Sequence, residues 1–261
     1  MYLERLSSDG IDTSPYYVPN GKFNTAPPNS DIQMPNCTMY CYCRGFEASD
    51  ATKPFYLARN GYGFGNAKEW YAASPLPKGS NLKDGSIAVF DGQYGHVCFV
   101  ERVIDSNHAL ITESQYDKDK TLRNYKYWQK RIIELEVGKA TLSGVGKLLG
   151  FLYLPIDEIR TSRDSNKEQI EITKEMVNVR ATPNGYVARK GCYAPMGIYN
   201  VLSKQKVDGY TWYRLDKANW VREGDWLNYY PANDYEALLK ENEELKKKLK
   251  QINVLSEVNN G

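Results

Sequence analysis

One cysteine stands where its side chain could attack a substrate. Cys37 follows Asn36, a good helix N-cap, and the residues after it predict a helix that runs to about Ser49. A thiol at the N-terminus of a helix loses its proton more readily, because the orphan N–H groups and the helix macrodipole stabilise the thiolate. The thiolate is the nucleophilic form, so the pattern indicates nucleophilic chemistry at Cys37.

His96 is the base that such a nucleophile would need. The chain has only two histidines, and the other, His108, lies in a predicted turn where it would face solvent. Gly95 is predicted to leave open space beside the His96 ring. Glu113 ends the next predicted strand, so a hairpin would bring its carboxylate, or the amide of Gln115, to the second ring nitrogen and fix the tautomer.

These residue types also have plainer explanations. A lone cysteine in a helix is usually a small buried hydrophobe, and a lone histidine in a strand is usually structural. Two histidines exclude a multi-histidine metal centre, and the spacing of Cys37, Cys41 and Cys43 fits a zinc site poorly. We expect Cys41 and Cys43 in the core, and Cys98 on the same strand face as His96, where it would line the site. No metal and no other cofactor is predicted.

The composition narrows the class of protein. The 261 residues have a net charge of +2, and 41% are hydrophobic and 25% charged, which is typical of folded domains and lacks the basic field of a nucleic-acid-binding protein. Five cysteines, an odd number, argue against a disulfide framework. We find no long apolar run and no signal peptide. We therefore expect that the protein does not insert into a membrane and that it is made in a reducing compartment.

The elements that must position Cys37 and His96 follow from turn and strand signals. Residues 1–30 are rich in turn-forming residues and are predicted to be an irregular arm. A short helix is predicted at about 66–73. Together these elements predict a first domain over 1–156 and a polar linker over 157–168. The predicted strands of the first domain are Ile87–Phe90, Val97–Val103, Ala109–Thr112 and Gly150–Leu154.

A second β-rich domain is predicted over 169–231, where short strands separated by turns favour a small barrel. The segment 232–261 differs, because apolar residues recur every seven positions within 233–258, as in a coiled coil. A helix packed on its own chain and a helix that joins a homo-oligomer both remain open. The strands predicted in the second domain are Met176–Arg180, Gly197–Val201, Trp212–Leu215 and Trp220–Val221.

Several motifs of the first domain resemble, in their order, the CHAP domain, a family of cysteine, histidine-dependent amidohydrolases/peptidases found in phage endolysins and bacterial wall hydrolases. The resemblance implies an α+β, papain-like fold and cleavage of an amide bond of peptidoglycan. That bond is either the N-acetylmuramoyl-L-alanine bond or a peptide bond of the stem or cross-bridge. The matching motifs are Asn36-Cys37-Thr38-Met39-Tyr40, Gly65-Asn66-Ala67-Lys68-Glu69-Trp70, Lys83-Asp84-Gly85-Ser86-Ile87, Gly95-His96-Val97, Glu113-Ser114 and Gly150-Phe151-Leu152-Tyr153.

The resemblance also implies roles for the matching residues. Cys37 would be the nucleophile, His96 the base and then the acid, and Glu113 the residue that orients His96. Gln115 stands where the family often has Asn, and Asn36 stands where it often has Gln. The Asn36 side chain and the Cys37 backbone N–H are expected to form an oxyanion hole. Calcium is not predicted, since the region before the nucleophile offers a single nearby carboxylate.

The second domain resembles a bacterial SH3b domain. The matching motifs are Val177-Asn178-Val179-Arg180, Asp208-Gly209-Tyr210-Thr211-Trp212-Tyr213-Arg214-Leu215 and Trp220-Val221. The resemblance implies anchoring to peptidoglycan, and exposed rings would suit a peptide bridge. The core of a small barrel is the plainer place for each ring, above all for the two tryptophans. The candidate binding residues are Tyr193, Tyr199, Tyr210, Trp212 and Trp220.

Both resemblances together imply a phage-type endolysin with bacterial peptidoglycan as its partner. We expect such an enzyme to stay in the host cytoplasm until lysis and then to act on the cell wall. The alternatives are a virion-associated tail lysin and a structural or adhesive wall-binding protein that assembles through its C-terminal helix.

Overall fold

A computed structural model describes residues 2–17, 34–49, 58–59, 62–63, 65–121, 123–140, 145–156, 167–216 and 218–232. Within these ranges the fold is α+β and rich in strands. No helix in the described ranges is both long and apolar enough to cross a membrane. Most of the predicted linker, residues 157–166, and the predicted C-terminal helix, residues 233–258, lie outside the described residues.

Two α-helices and two short 3₁₀ helices accompany seventeen strands in the described residues. The helices are α1 (Cys37–Ala48) and α2 (Trp70–Ala73), and the 3₁₀ helices are Ile11–Thr13 and Ala67–Glu69. The strands are β1 (Glu4–Arg5), β2 (Ala58–Arg59), β3 (Tyr62–Gly63), β4 (Lys78–Gly79), β5 (Ser86–Phe90), β6 (His96–Val103), β7 (His108–Glu113), β8 (Gln129–Glu134), β9 (Leu148–Tyr153), β10 (Gln169–Ile172), β11 (Val177–Asn178), β12 (Cys192–Ala194), β13 (Gly197–Asn200), β14 (Ser203–Val207), β15 (Tyr210–Arg214), β16 (Trp220–Arg222) and β17 (Leu227–Tyr230).

The first part of the chain builds a six-stranded antiparallel sheet in the order β4-β9-β5-β6-β7-β8. The predicted helix that begins at Cys37 and the four predicted strands of this region are confirmed, with boundaries that move by one to two residues. The sequence analysis assigned no element to β8, which pairs with β7 along its whole length. This edge strand proves important, because it supplies side chains to the site described below.

Helix α1 covers one face of the sheet. Its buried residues Met39 and Cys43 pack in one apolar cluster with Val97 and Phe99 of β6. Cys41 lies in the same cluster, so the predicted core positions of Cys41 and Cys43 are confirmed. This packing fixes the helix, and therefore Cys37 at its N-terminus, against the strand that begins with His96.

The structure corrects the expectation for Cys98. Its thiol is fully buried and packs with Phe90, Val100 and Phe151 in the cluster on the other side of the sheet from α1. Successive side chains of a strand point to opposite faces, and Cys98 alternates with Val97 and Phe99, which face α1. Cys98 is therefore a core residue and does not line an accessible site.

The second part of the chain forms three small antiparallel sheets, in the orders β13-β10-β17, β14-β15-β16 and β1-β12-β11. They share an apolar cluster that includes Ile170, Val179, Tyr213 and Val221. The strands predicted here are confirmed in part, because the first of them is shorter than predicted and ends at Asn178. β10, β12, β14 and β17 were not predicted.

Residues 18–30 of the predicted irregular arm lie outside the described residues, but Glu4 and Arg5 form a strand instead. β1 pairs with β12, with Glu4 opposite Tyr193 and Arg5 opposite Cys192. Leu3 is buried in the apolar cluster of the second part of the chain, whereas Tyr2 is buried in the cluster around α1. Residues 2–5 thus contact both parts: Tyr2 packs in one cluster and Leu3 in the other, and Arg5 binds Glu47 of α1.

Behind α1 lies a group of four buried charged residues, Arg5, Arg44, Glu47 and Glu101, which we call the structural cluster. Arg44 donates from Nε and Nη2 to the two oxygens of Glu101, at 2.9 and 2.7 Å. Arg5 donates from Nε to Glu47 at 2.8 Å, and Arg44 Nη1 reaches the same carboxylate at 3.2 Å. Two cations and two carboxylates balance, which is the condition for burying charge at acceptable cost.

Candidate active site

The start of α1 is capped as the sequence predicted. The Oδ1 atom of Asn36 accepts hydrogen bonds from the backbone N–H groups of Thr38 and Met39, at 2.9 and 3.1 Å, and from the Thr38 hydroxyl at 2.6 Å. This cap satisfies helix N–H groups that would otherwise lack a partner. Cys37 is therefore the first residue of a well-formed helix, and its side chain is half-buried.

Ser114 ties this capped end to the sheet. Its buried hydroxyl accepts a hydrogen bond from the Asn36 backbone N–H at 2.9 Å and donates to the Lys126 carbonyl at 3.0 Å. Ser114 directly follows Glu113, so one short stretch of chain holds both the helix start and the carboxylate. No role was predicted for Ser114, since nothing local in the sequence reveals a partner 78 positions away.

The predicted hairpin brings His96 and Glu113 together. β6 and β7 are antiparallel neighbours, with a register shift between Val100 and Arg102. The Nε2 atom of His96 lies 2.5 Å from Oε2 of Glu113, and the Glu113 side chain is fully buried. The Nδ1 atom is then the ring nitrogen left for the hydrogen bond with the Cys37 thiol. His96 is buried, whereas His108 is exposed as predicted and pairs with Asp105.

Gly95 does not leave open space beside the ring. Its φ of +72° lies in the left-handed region, which favours glycine. A Cβ at this position would lie 2.3 Å from the backbone nitrogen of Lys68. The glycine is needed because the chain turns sharply into β6 where the 3₁₀ helix Ala67–Glu69 packs closely, and this turn places His96.

The Cys37–His96 pair favours separated charges. Burial opposes ionisation of the thiol, but hydrogen bonds with the His96 side chain and with the backbone N–H groups of Val97 and Thr38 outweigh it and lower the pKa of Cys37. Burial likewise opposes the imidazolium, but the hydrogen bonds with Cys37 and Glu113 raise the pKa of His96 to about 10. Both shifts favour the thiolate–imidazolium form of the pair over the neutral form.

Two residues of β8 complete the surroundings of Glu113. Gln129 Nε2 donates to Oε1 of the carboxylate at 2.8 Å, and the Arg131 guanidinium forms an ion pair with the same oxygen. Among the described residues, Gln115 makes no hydrogen bond to His96, and its backbone N–H donates to Lys126 instead. Gln129 and Arg131 were not predicted as site residues, because no strand was predicted for their segment.

The capping hydrogen bonds limit what Asn36 can contribute to catalysis. Its Oδ1 atom is committed to the helix N-terminus. Only its Nδ2 group is left as the donor that the predicted oxyanion hole would need beside the Cys37 backbone N–H. The predicted role of Asn36 thus reduces to one side-chain N–H donor.

The five aromatic residues predicted to bind substrate differ in exposure. Tyr210 is 45% exposed and lies under the Arg222 guanidinium, 4.3 Å from ring centroid to Cζ. Trp212 is only 4% exposed, which corresponds to the core position considered as its alternative. The remaining three, Tyr193, Tyr199 and Trp220, are half-buried. The Tyr199 hydroxyl donates to the Pro195 carbonyl.

No group of three His, Cys, Asp or Glu side chains suited to a metal ion occurs in the described part of the chain. All five cysteines are unpaired thiols, and four of them are buried in apolar surroundings. Burial raises the pKa of Cys43 above its usual range and that of Cys192 to about 12. Cys37 is thus distinguished from the other thiols by a pKa that is lowered.

Comparison with known families finds a match over the part of the chain that contains Cys37, His96 and Glu113. Residues 28–115 match the sequence model of the family described as CHAP domain. The chain contains a CHAP domain. The matched range includes Cys37, His96 and Glu113, and it ends before Gln129 and Arg131. The matched range thus covers helix α1 and the β6–β7 hairpin, and β8 lies beyond it.

Two solved structures are similar to parts of the chain. One is described as the crystal structure of Ly7917 with the hydrolyzing product of MDP, at 16% identity, TM-score 0.32, and coverage of 75% of this chain and 89% of that one. The other is described as the crystal structure of Ly7917, at 15% identity, TM-score 0.32, and coverage of 77% of this chain and 92% of that one. TM-scores of this size do not establish a shared overall fold. No curated protein sequence matches the chain significantly.

Proposed function

We propose that the protein is a peptidoglycan hydrolase that cleaves an amide bond of the bacterial cell wall with Cys37 as its nucleophile. The observation that supports this most is the array in which Glu113 holds His96 and His96 shares a hydrogen bond with Cys37. A buried carboxylate, an imidazole and a thiol at a helix N-terminus form the arrangement that cysteine hydrolases use. The CHAP domain over residues 28–115 supports the same class of reaction.

The chemistry would proceed in two steps. The Cys37 thiolate attacks the amide carbonyl, and the imidazolium Nδ1–H of His96 protonates the departing amine as the C–N bond breaks and a thioester forms. Neutral His96 then takes a proton from water, the water oxygen attacks the thioester, and the Cys37 sulfur leaves as the thiolate. The Cys37 backbone N–H and Asn36 Nδ2 would stabilise the oxyanion of each tetrahedral intermediate.

The amide bond and the biological setting belong to the same proposal. The substrate is the N-acetylmuramoyl-L-alanine bond or a peptide bond of the stem or bridge, and the enzyme acts as an endolysin, or as a tail lysin, after release from the host cytoplasm. The SH3b-like second part would hold the wall, with Tyr210 as its most exposed predicted contact. The helix predicted over 233–258 would add self-association.

The decisive experiment compares the wild-type protein with Cys37→Ala on purified walls. The variant should lose hydrolysis by at least about 10³-fold, because no other group can form the thioester, and it should still bind walls in a sedimentation assay. Cys192→Ala is the matched control, since it removes a thiol that is buried away from the site. Hydrolysis by Cys37→Ala at the wild-type rate would refute the thiol mechanism.

Mass spectrometry of the released fragments identifies the bond. An amidase leaves free L-alanine amines and muramic acid lactyl ends. An endopeptidase leaves that linkage intact and creates new termini within the peptides. A catalytically inert structural protein releases no fragments at all.

A further inference from the structure

Glu113 is held from two sides, and only one side belongs to the expected catalytic array. Its Oε2 atom faces His96 of β6, whereas its Oε1 atom faces Gln129 and the Arg131 guanidinium of β8. The carboxylate is fully buried, and the Arg131 side chain is 37% exposed. Arg131 therefore lies partly in solvent and pairs with the Glu113 carboxylate, which water does not reach.

The charges around Glu113 alternate in sign. With Cys37 as thiolate and His96 as imidazolium, the order from the helix to β8 is minus, plus, minus, plus, and the sum is zero. Without Arg131 the site would hold a net negative charge in a buried position, which is unfavourable. A proton on the Cys37 thiolate would relieve it and would remove the thiolate–imidazolium pair.

The other titratable groups beside this array do not compensate. The thiols of Cys41, from α1, and Cys98, from β6, lie within electrostatic reach of Glu113, but burial raises the pKa of both, so they stay neutral. Gln129 supplies a neutral N–H donor. Arg131 is thus the one cation besides His96 that contacts Glu113 in the described part of the chain.

We propose that Arg131 is a positioning residue for the reaction at Cys37: its guanidinium neutralises and fixes Glu113, so that the carboxylate orients His96 and the ion pair with Cys37 persists at neutral pH. This role rests on the hydrolase proposed above, because it acts only through Glu113 and His96. Among the described residues, the ion pair of Arg131 is with Glu113 and not with Cys37.

The test measures the reactivity of Cys37 directly. Iodoacetamide alkylates thiolates, and the other four cysteines are at most 1% exposed, so the pH dependence of alkylation reports on Cys37, with Cys37→Ala as the blank. Arg131→Gln should move the midpoint to higher pH by about one unit, a moderate shift because Arg131 is partly exposed. The kcat on walls should fall by about tenfold, with KM little changed.

Two matched variants separate this role from a general one. Lys130→Gln removes the same charge from the neighbouring position of β8, where the side chain is exposed, and should leave both the midpoint and kcat unchanged. Arg131→Lys keeps a cation near Glu113 and should restore most of the wild-type midpoint. An equal shift in Lys130→Gln, or no shift in Arg131→Gln, would overturn the proposal.

A double variant tests the same role without leaving an uncompensated buried charge that could unfold the protein. Arg131→Gln alone leaves Glu113 buried with one cation fewer, but in Glu113→Gln/Arg131→Gln that charge is gone. If Arg131 acts through Glu113, the second substitution adds no further shift to that of Glu113→Gln. Additive shifts would refute the mechanism. A midpoint shift in a protein that hydrolyses no wall would support Arg131 and refute the proposed function instead.

Discussion

Helix α1 has a buried charge network at each end, and the two networks differ in what they leave open. The structural cluster near its C-terminal half is closed, because Arg44 and Glu47 are at most 1% exposed and each binds partners within the cluster. The network at its N-terminus is open at both ends, since Cys37 is half-buried and Arg131 reaches solvent. Both balance their charges, so the difference lies in access.

This difference suggests a division of labour. A closed network of two arginines and two carboxylates can only contribute to the fold, and it also holds the N-terminal segment, since Arg44 Nη2 donates to the Leu3 carbonyl at 2.5 Å. The open network leaves the Cys37 thiol, the proposed nucleophile, half-buried, while the buried Glu113 carboxylate holds His96, its proposed base. Substitutions at the first should change stability, and those at the second should change chemistry.

Breaking the closed network should have the largest effect. Glu101→Gln leaves the buried Arg44 guanidinium without its main counter-charge and weakens bonds from Tyr2 and Thr112. We expect the free energy of unfolding to fall by about 3–5 kcal/mol, measured by urea denaturation, with activity retained at temperatures where the variant stays folded. Glu134→Gln, on exposed β8, is the control and should change it by less than about 0.5 kcal/mol.

A decrease in the free energy of unfolding of less than about 1 kcal/mol in Glu101→Gln would contradict this division, because it would mean that water solvates the Arg44 guanidinium. A stable but inactive Glu101→Gln would do so as well, since it would connect the closed network to the chemistry at Cys37.

Replacing glutamate by glutamine in the open network should lower activity more than stability. Glu113→Gln keeps the shape of the side chain but cannot balance the His96 imidazolium, so kcat/KM on walls should fall by about 10²-fold, equivalent to about 2.7 kcal/mol. The loss of stability should be smaller than in Glu101→Gln, because the unpaired Arg131 can turn to solvent. Glu136→Gln, an exposed control, should change neither quantity.

If Glu113→Gln instead unfolds the protein as strongly as Glu101→Gln while the folded fraction stays fully active, the two networks would be equivalent structural devices. The carboxylate would then have no part in orienting the base.

The sequence alone predicted the local parts of this comparison. The helix that begins at Cys37 follows from its N-cap, and the β6–β7 hairpin follows from two β-rich runs with a turn between them, so the nucleophile and base could be paired. A resemblance to a known family then specified Glu113 among the nearby candidates. The helix start and the hairpin each depend on neighbours within about twenty residues.

The partners from distant segments could not be predicted. In β8 the sequence Gln-Lys-Arg-Ile-Ile-Glu has a weak strand signal, because polar residues occupy both faces of an edge strand. β1 has two residues and gains its partner only from β12, almost 190 positions later. Arg5 donates a hydrogen bond to Glu47, 42 positions away, and no pattern along the sequence predicts this contact.

The smallest predicted effect concerns Glu4, at the margin of the structural cluster. Burial raises the pKa of Glu4 to about 8, although Arg102 opposes this from 3.3 Å between Nε and Oε1. Between the ordinary pKa of a glutamate and pH 8, the folded chain keeps a proton that the unfolded chain has lost. The free energy of unfolding therefore decreases as the pH rises through this window.

Glu4→Gln removes this penalty, so its stability relative to the wild-type protein should increase by about 1–2 kcal/mol between pH 5 and pH 9. Urea denaturation of both proteins at each pH measures the difference, and other titrating groups cancel because they are common to both. Glu175→Gln removes the exposed partner of Arg102 and should show no such trend. If Glu4→Gln becomes less stable relative to wild type at pH 9, Glu4 is ionised and paired with Arg102, and the closed network extends to include both.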